Sequence, residues 1–279
     1  MLIVIIGSGT MGTGIAETAV THGHTVVLTD PESEARNRAQ MQIAHNISRA
    51  IERGQISEDH EQVMARLSIC ATWPEADVDW VIEAVPEKLS LKQKIFEQLD
   101  QQYDAGVWLG SNTSSIAITL LQAQTHRHPE RIGGLHFFNP VPRMVLVEVI
   151  RGIDTNDAYL ANALKLVESL GKSGVEAPDR PGFLVNRIAR PYYLEALRLV
   201  DEGIASLESV DQVMEGAGFP MGPFRVMDLV GVDVNLSVTR SVYEQTYFDE
   251  RYRPHPLQEQ LVQRGYWGRK RGRGFYRYG

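Results

Sequence analysis

Three glycines near the start of the chain give the first indication of chemistry. Leu2–Ile6 is a run of aliphatic, mostly β-branched residues, which is typical of a buried strand of a parallel sheet. Gly7, Gly9 and Gly12 follow in the spacing G-x-G-x-x-G, and a helical pattern covers residues 14–20. Strand, glycine loop and helix in this order bind the pyrophosphate of a dinucleotide, because backbone N–H groups and the positive end of the helix dipole can approach it. We expect the cofactor to contact Gly7, Ser8, Gly9, Thr10, Met11 and Gly12.

A carboxylate follows the second predicted strand. Thr25–Thr29 is again apolar and β-branched, and it ends directly before Asp30. A carboxylate about twenty residues past the glycine loop accepts hydrogen bonds from the adenosine ribose in dinucleotide-binding folds. Its negative charge would repel the 2′-phosphate of NADP, so the sequence predicts NAD as the cofactor. The alternative is a solvated aspartate in the turn before Pro31.

Polar residues also lie at the ends of later predicted strands. Residues 111–115, Ser-Asn-Thr-Ser-Ser, follow a strand over 107–110, and His136 lies near the end of a strand over 132–138. Ligands of doubly wound sheets lie outside the carboxyl ends of the strands, and histidine is the usual general base near neutral pH. Glu148 is the only charge in the apolar strand predicted over 145–150, so it should be paired if it is buried.

Two predicted helices, instead of one, separate the second and third strands. The first covers about 33–53, and the second runs from an N-cap at Ser57 to about Arg66. Insertions of this kind often carry substrate contacts. Arg49 and Arg53 lie one turn apart on one face, a spacing that suits a phosphate and equally a solvated helix face. A further helix is predicted over 116–123, capped by one of the hydroxyl groups before it.

The composition excludes several classes of protein. The chain has 279 residues with a net charge of −7, which offers no attraction to nucleic acid or to an anionic membrane surface. No apolar run approaches the roughly 18 residues of a membrane span. One cysteine permits neither an intrachain disulfide nor a cysteine zinc cluster, and we assign no metal ligands. Because the first strand begins at Leu2 without a signal peptide before it, we expect a cytoplasmic protein.

Strand patterns stop at a proline- and glycine-containing linker over 178–182. We therefore predict an α/β domain over 1–179, with a Rossmann-type, doubly wound, mostly parallel sheet and a helical excursion after strand two. Residues 180–279 are predicted to form an all-α domain.

Motifs along nearly the whole chain resemble those of the L-3-hydroxyacyl-CoA dehydrogenases, and the length is similar to the short bacterial 3-hydroxybutyryl-CoA dehydrogenases. The matching segments, in the family's order and approximate spacing, are residues 7–12, 111–115, 134–142, 181–187, 218–224 and 268–276. The resemblance implies reversible, NAD-dependent oxidation of a short-chain (S)-3-hydroxyacyl-CoA to the 3-oxoacyl-CoA. It also implies a homodimer that forms through the helical, substrate-binding domain.

The resemblance further implies individual roles. His136 is the general base, Glu148 is its acidic partner, and Ser114 and Asn186 bind the C3 oxygen or the thioester carbonyl. The implied cofactor contacts besides the loop and Asp30 are Glu87, Lys92, Ser114, Asn139 and Lys270, and the implied CoA contacts are Asn46 and Arg53. At these last two positions some members of the family have serine and lysine.

Two other functions remain open. One is an NAD-dependent dehydrogenase of a free sugar acid such as L-gulonate, which keeps the same fold. The other is a non-catalytic NAD-binding sensor or structural protein, since a fold alone does not define a function. The second alternative predicts damage to the set of His136, Glu148, Ser114 and Asn186, and all four residue types are present.

Overall fold

The computed structural model describes residues 1–75 and 77–279, which divide into two compact units, Met1–Arg180 and Pro181–Gly279. An eight-stranded sheet organises the first unit. Its strands are β1 (Leu2–Ile6), β2 (Thr25–Thr29), β3 (Leu67–Cys70), β4 (Trp80–Glu83), β5 (Trp108–Ser111), β6 (Ile132–Phe137), β7 (Leu146–Arg151) and β8 (Ser173–Pro178).

The strand order confirms the predicted fold class. The sheet has the order β3-β2-β1-β4-β5-β6-β7-β8, and the first six strands in this order are parallel, as in a Rossmann fold. β7 is antiparallel to β6, and β8 is parallel to β7. The helices of this unit are α1 (Thr10–Thr21), α2 (Ser33–Glu52), α3 (His60–Met64), α4 (Leu89–Gln102), α5 (Ile118–Gln122) and α6 (Asp157–Ser169). The excursion after strand two therefore consists of α2 and α3, as predicted.

The central strands are buried because helices cover the sheet. Ile3, Val4 and Ile5 of β1 have no exposed surface. Ile15 of α1 and Ile43 of α2 belong to the same hydrophobic cluster as Ile3 and Ile5. Each such aliphatic side chain contributes about 1.5–3 kcal/mol when it is fully buried. This packing gives the loops at the carboxyl ends of the strands a rigid base.

The second excursion helix starts later and ends earlier than the predicted span from Ser57 to Arg66. Its N-cap is Asp59, whose carboxylate accepts a hydrogen bond of 2.9 Å from the Glu61 N–H. The Gln62 side chain accepts one of 3.4 Å from the Asp59 N–H, which completes a capping box. These two reciprocal contacts satisfy free backbone donors that a cap at Ser57 would leave open.

The second unit is helical, in agreement with the prediction. Its helices are α7 (Val185–Asp201), α8 (Leu207–Gly216), α9 (Pro223–Val230), α10 (Val232–Gln245) and α11 (Pro256–Gln263). Leu197, Phe224 and Met227 form part of its core. The buried Asp228 carboxylate accepts a 2.9 Å hydrogen bond from the Phe275 N–H, so the C-terminal segment is fixed to α9. Within the described residues, no helix has the length and apolar character needed to cross a membrane.

Candidate active site

The glycine loop connects β1 to α1, and its three glycines have different surroundings. Gly7 has φ +101°, and a Cβ there would lie 2.8 Å from the Ala84 carbonyl oxygen. A Cβ on Gly12 would lie 1.8 Å from the Gly7 carbonyl oxygen. Gly9 differs, because its φ is −70° and a Cβ would meet nothing within 4 Å. The protein itself requires Gly7 and Gly12, whereas Gly9 keeps open a space over the helix N-terminus that fits a dinucleotide pyrophosphate.

Asp30 lies beside this loop, at the end of β2. Its Oδ2 accepts hydrogen bonds from the Ser8 N–H at 2.8 Å and the Ser8 hydroxyl at 3.0 Å. Its Oδ1 accepts one from the Glu32 N–H at 3.0 Å. Two carboxylate oxygens offer about four acceptor positions, so Asp30 can still accept a hydrogen bond from a ribose hydroxyl.

A groove of about 2150 Å³ runs from the glycine loop along the helical excursion. Asp30 and Asn139 line it together with Asn46, Arg49 and Arg53 of the excursion. The structure thus brings the predicted contacts Asp30, Asn139, Asn46 and Arg53 to one groove, whereas Glu87 and Lys92 are not among its lining residues in the described chain. The lining residues within the described chain do not include Ser114 or His136. Arg143 also lines this groove, and no periodic pattern in the sequence singled it out.

Asn46 is held in place by neighbours on two helices. Its side-chain amide donates to Glu17 Oε2 at 2.7 Å, and its carbonyl oxygen accepts from Gln42 Nε2 at 2.8 Å. Burial raises the pKa of Glu17, and the hydrogen bond from Asn46 acts in the opposite direction. A ligand of Asn46 would therefore use the remaining lone pair or amide proton.

His136 and Glu148 are direct neighbours because of the register of β6 and β7. The two residues face each other in this antiparallel pair, and His136 Nδ1 lies 2.7 Å from Glu148 Oε2. His136 is 4% exposed and Glu148 is fully buried. The expectation that a buried Glu148 has a partner is confirmed. A carboxylate only accepts hydrogen bonds, so this contact favours the neutral tautomer with the proton on Nδ1 and a lone pair on Nε2.

Ser114 contacts the opposite edge of the imidazole. Its hydroxyl oxygen lies 3.1 Å from His136 Nε2. Ser114 belongs to the polar segment after β5, and this segment is fixed to β6 because the Asn112 side chain accepts a 2.8 Å hydrogen bond from the Phe137 N–H. The structure therefore unites three predicted residues, Glu148 within β7, His136 near the end of β6 and Ser114 after β5.

Glu87 holds the polar segment over 111–115 in place through hydrogen bonds. Its Oε1 accepts hydrogen bonds from the Thr113 hydroxyl at 2.6 Å and from the N–H groups of Ser114 and Ser115 at 3.0 Å each. Lys92 Nζ lies 3.3 Å from Glu87 Oε2. Burial alone would raise the pKa of Glu87, but the Lys92 charge and these hydrogen bonds hold it below its ordinary value. Glu87 is thus stabilised as a carboxylate beside the loop.

Lys92 forms a buried ion pair with Glu83, a residue that the sequence analysis missed. Lys92 Nζ lies 2.6 Å from Glu83 Oε1, and the two residues are 1% and 0% exposed. The signal was available, since Glu83 is the only charge in the apolar run over 80–85, just as Glu148 is in its strand. The same rule about buried charges would have predicted a partner for it.

The hydroxyl groups of residues 111–115 do not cap the following helix, so that prediction is wrong. α5 covers Ile118–Gln122, and its N-cap residue is Ala117. The free N–H groups of Ile118 and Thr119 instead donate to the Asp179 carboxylate at 2.9 and 2.8 Å. The cap comes from 61 residues away, and no local pattern indicates it.

Asn186 and Lys270, the remaining predicted residues, belong to the second unit. Asn186 lies in the first turn of α7. Lys270 lies in a short 3-10 helix, where Nζ pairs with Asp233 Oδ1 at 2.7 Å and lies 5.5 Å from the centre of the Trp267 ring. The side chain of Lys270 is therefore held by Asp233 and not free in solvent.

The Rossmann sheet carries an open glycine loop, a carboxylate after β2 and a buried histidine–glutamate pair between β6 and β7. These features define an NAD-dependent oxidoreductase. Comparison with known families agrees. Residues 2–180 match the 3-hydroxyacyl-CoA dehydrogenase NAD binding domain, and residues 182–278 match the 3-hydroxyacyl-CoA dehydrogenase C-terminal domain. The chain belongs to the 3-hydroxyacyl-CoA dehydrogenase family.

Individual relatives are similar over nearly the whole chain. A probable 3-hydroxybutyryl-CoA dehydrogenase of Bacillus subtilis is 41% identical and covers 99% of this chain and 96% of its own length. The 3-hydroxyadipyl-CoA dehydrogenase of Escherichia coli is 43% identical over 98% of this chain, which spans only 58% of that longer protein. The crystal structure of (S)-3-hydroxybutyryl-CoA dehydrogenase from Ralstonia eutropha has 40% identity and a TM-score of 0.93, and the match covers 100% of this chain and 99% of that one.

Proposed function

We propose that this protein catalyses the reversible, NAD-dependent oxidation of short-chain (S)-3-hydroxyacyl-CoA to 3-oxoacyl-CoA, with His136 as the general base. The observation that carries the proposal is the series of contacts from Glu148 through His136 to Ser114, at 2.7 and 3.1 Å. The short chain length rests on the relatives that are named 3-hydroxybutyryl-CoA dehydrogenases.

In the proposed mechanism His136 Nε2 takes the proton of the C3 hydroxyl. The Glu148 carboxylate, which accepts the Nδ1 proton, orients the ring and stabilises the imidazolium that forms. Bound NAD supplies the acceptor for the hydride that leaves C3. Ser114 donates a hydrogen bond to the C3 oxygen, so it orients the substrate and stabilises the carbonyl group as it forms. In the reverse direction the protonated His136 returns its proton to that oxygen.

We further propose that residues 1–179 bind NAD and that residues 180–279 complete the substrate site and form a homodimer. Asn186 then binds the same oxygen or the thioester carbonyl, while Asn46 and Arg53 bind CoA. The residues that contact the nicotinamide half of the cofactor in this proposal are Glu87, Asn139, Lys92 and Lys270. Support for the dimer comes from apolar side chains of the second unit that are largely exposed, such as Ile188 at 73% and Val213 at 68%. Light scattering of the purified chain measures its mass in solution and so tests the dimer. The cytoplasmic location stays a prediction.

The test of the reaction is an NADH-oxidation assay with acetoacetyl-CoA and longer 3-oxoacyl-CoA substrates, with NADPH in place of NADH as the control. A parallel assay oxidises L-gulonate with NAD. Turnover of acetoacetyl-CoA with NADH supports the proposal, whereas turnover of L-gulonate alone favours the sugar-acid alternative. Turnover of neither with intact NADH binding favours a non-catalytic NAD-binding protein. A 3-oxoadipyl-CoA arm tests the substrate class in the name of the Escherichia coli relative.

The general base is tested by His136→Ala. Removal of a general base costs about 100- to 10,000-fold in turnover, and NADH binding should remain because the glycine loop and Asp30 are unchanged. A variant with near wild-type turnover would contradict the mechanism.

A further inference from the structure

The Glu83 carboxylate is fully buried and has a partner on each oxygen, yet the proposed chemistry does not use it. Glu83 is the last residue of β4, where its register neighbours are Ile6 of β1 and Ser111 of β5. Its Oε2 accepts a 2.6 Å hydrogen bond from the Ser111 hydroxyl. Its Oε1 accepts one of 2.7 Å from the Val85 N–H and one of 2.6 Å from Lys92 Nζ. Glu83 therefore joins β4, β5 and α4 directly beneath the glycine loop and the polar segment.

The ammonium group of Lys92 has an acceptor for each of its three protons. These acceptors are Glu83 Oε1 at 2.6 Å, the Val85 carbonyl oxygen at 3.3 Å and Glu87 Oε2 at 3.3 Å. A direct hydrogen bond from Lys92 to NAD would have to replace one of them. Within the protein the cation bridges two carboxylates, the fully buried Glu83 and Glu87 beside the polar segment.

Glu87 connects Lys92 to the reaction site. While Oε2 faces Lys92, Oε1 binds the hydroxyl of Thr113 and the N–H groups of Ser114 and Ser115. The Ser114 hydroxyl in turn lies 3.1 Å from His136 Nε2. A continuous series of contacts thus runs from Glu83 through Lys92, Glu87 and Ser114 to the imidazole, and those that involve Glu83, Lys92 and Glu87 are charge-assisted.

We propose that Glu83 is a positioning residue of this dehydrogenase: its buried carboxylate fixes Lys92 and, through Glu87, sets the place of the Ser114 hydroxyl at His136. This inference rests on the proposed function. The physical reason is that a buried cation needs a buried counter-charge. Without the Glu83 charge, Glu87 becomes the only carboxylate within 4 Å of Lys92 among the described residues. Lys92 and Glu87 would move toward each other, and the 113–115 segment would lose its register with His136.

The first test compares Glu83→Gln with Asp100→Asn. Asp100 is a matched control, because it is also a buried carboxylate paired with a buried cation, Arg131 at 3.3 Å. Its carboxylate also accepts hydrogen bonds from the N–H groups of residues 126–128, which are not site residues. A misplacement of about 1 Å that arises outside the reacting groups can lower the rate up to about 100-fold. We expect that loss in kcat at saturating acetoacetyl-CoA and NADH for Glu83→Gln. Asp100→Asn should lose thermal stability but keep kcat within about twofold.

The second test separates positioning from general destabilisation. If Glu83 acts through Ser114, the loss from Glu83→Gln should shrink to about twofold or less in a Ser114→Ala background. Glu83→Gln combined with Lys92→Met removes both buried charges, so it should regain stability while kcat stays low.

The outcomes are distinct from a failure of the proposed function, which would show as an inactive wild-type chain. With an active wild type, a Glu83→Gln kcat equal to that of Asp100→Asn would overturn the inference. So would an undiminished loss in the Ser114→Ala background, or a recovery of kcat in the variant that lacks both charges.

Discussion

Replacement of Gly9 by alanine should weaken NADH binding without disturbing the fold. Gly9 is the N-cap of α1, with φ −70° and ψ −174°, an extended conformation that alanine adopts freely. A Cβ at this position meets nothing within 4 Å of the protein. The added methyl group therefore occupies only the space that we assign to the pyrophosphate.

The expected loss of NADH affinity follows from the contacts that the methyl group would displace. A hydrogen bond from a backbone N–H to a charged group contributes about 1.5–3 kcal/mol, so the loss of one raises the NADH Kd roughly 10- to 150-fold. The free energy of unfolding changes little, because two small effects oppose each other. Alanine is a poorer N-cap than glycine, which lowers the free energy of unfolding by about 0.5–1.5 kcal/mol. Alanine also reduces the conformational entropy of the unfolded chain, which raises the free energy of unfolding by about 0.4–1 kcal/mol.

Fluorescence titration with NADH and thermal unfolding measure the two quantities on the same sample. Gly106→Ala is the matched control, because a Cβ there also meets nothing within 4 Å and its φ lies outside the left-handed region. Both variants should unfold near the wild-type temperature, and only Gly9→Ala should lose affinity. A folded Gly9→Ala protein with the wild-type Kd would refute the assignment of this space to the cofactor.

Three further predictions concern single carboxylates. Glu148→Gln keeps the shape but removes the charge 2.7 Å from His136, so kcat should fall about 100- to 10,000-fold with an unchanged NADH Kd; steady-state kinetics near wild type would argue against the pair. Asp30→Asn removes the charge that we assign to the adenosine ribose, so the kcat/KM preference for NADH over NADPH should fall about tenfold or more, and an unchanged ratio would disprove that role. Asp100 has a lowered pKa: burial opposes the shift, and hydrogen bonds from the Arg127, His126 and His128 N–H groups and from Arg131 outweigh it. Its folded pKa lies below the ordinary value of 3.8, so its contribution to the free energy of unfolding is present above that pH and is lost as the pH falls below it. Urea titrations should therefore show the deficit of Asp100→Asn shrinking between pH 5 and about pH 3, and a deficit that is independent of pH would contradict the charge assignment.

Local patterns were sufficient for the fold class and for residues at strand ends. The alternation of apolar strands and helices predicted the Rossmann order, because parallel strands are buried on both faces and leave long apolar runs. His136 and Glu148 were found one at a time, the first from its place at the end of β6 and the second as a lone charge in β7. Their mutual distance could not be predicted from either pattern, since it depends on the register of the antiparallel pair.

The partner residues of polar contacts between different elements could not be predicted. The cap of α5 comes from Asp179, and the link between Glu83 and Lys92 joins a strand end to a helix face nine residues later. A sequence pattern reports the periodicity of one element, whereas these contacts depend on how two elements pack. Hydroxyl groups next to a predicted helix are only candidates for its cap. In this protein the first N–H groups of α5 donate to the distant Asp179 carboxylate instead.

The antiparallel pairing of β6 and β7 constrains how the chain can change in length during evolution. His136 and Glu148 meet because they are opposite each other in the ladder, on either side of the connection over 138–145. An insertion or deletion inside either strand would turn one of the two side chains to the other face of the sheet. Residues added to the connection would leave the pairing intact. We therefore expect the pair to tolerate length variation in the connection between β6 and β7 but none within the strands that carry it.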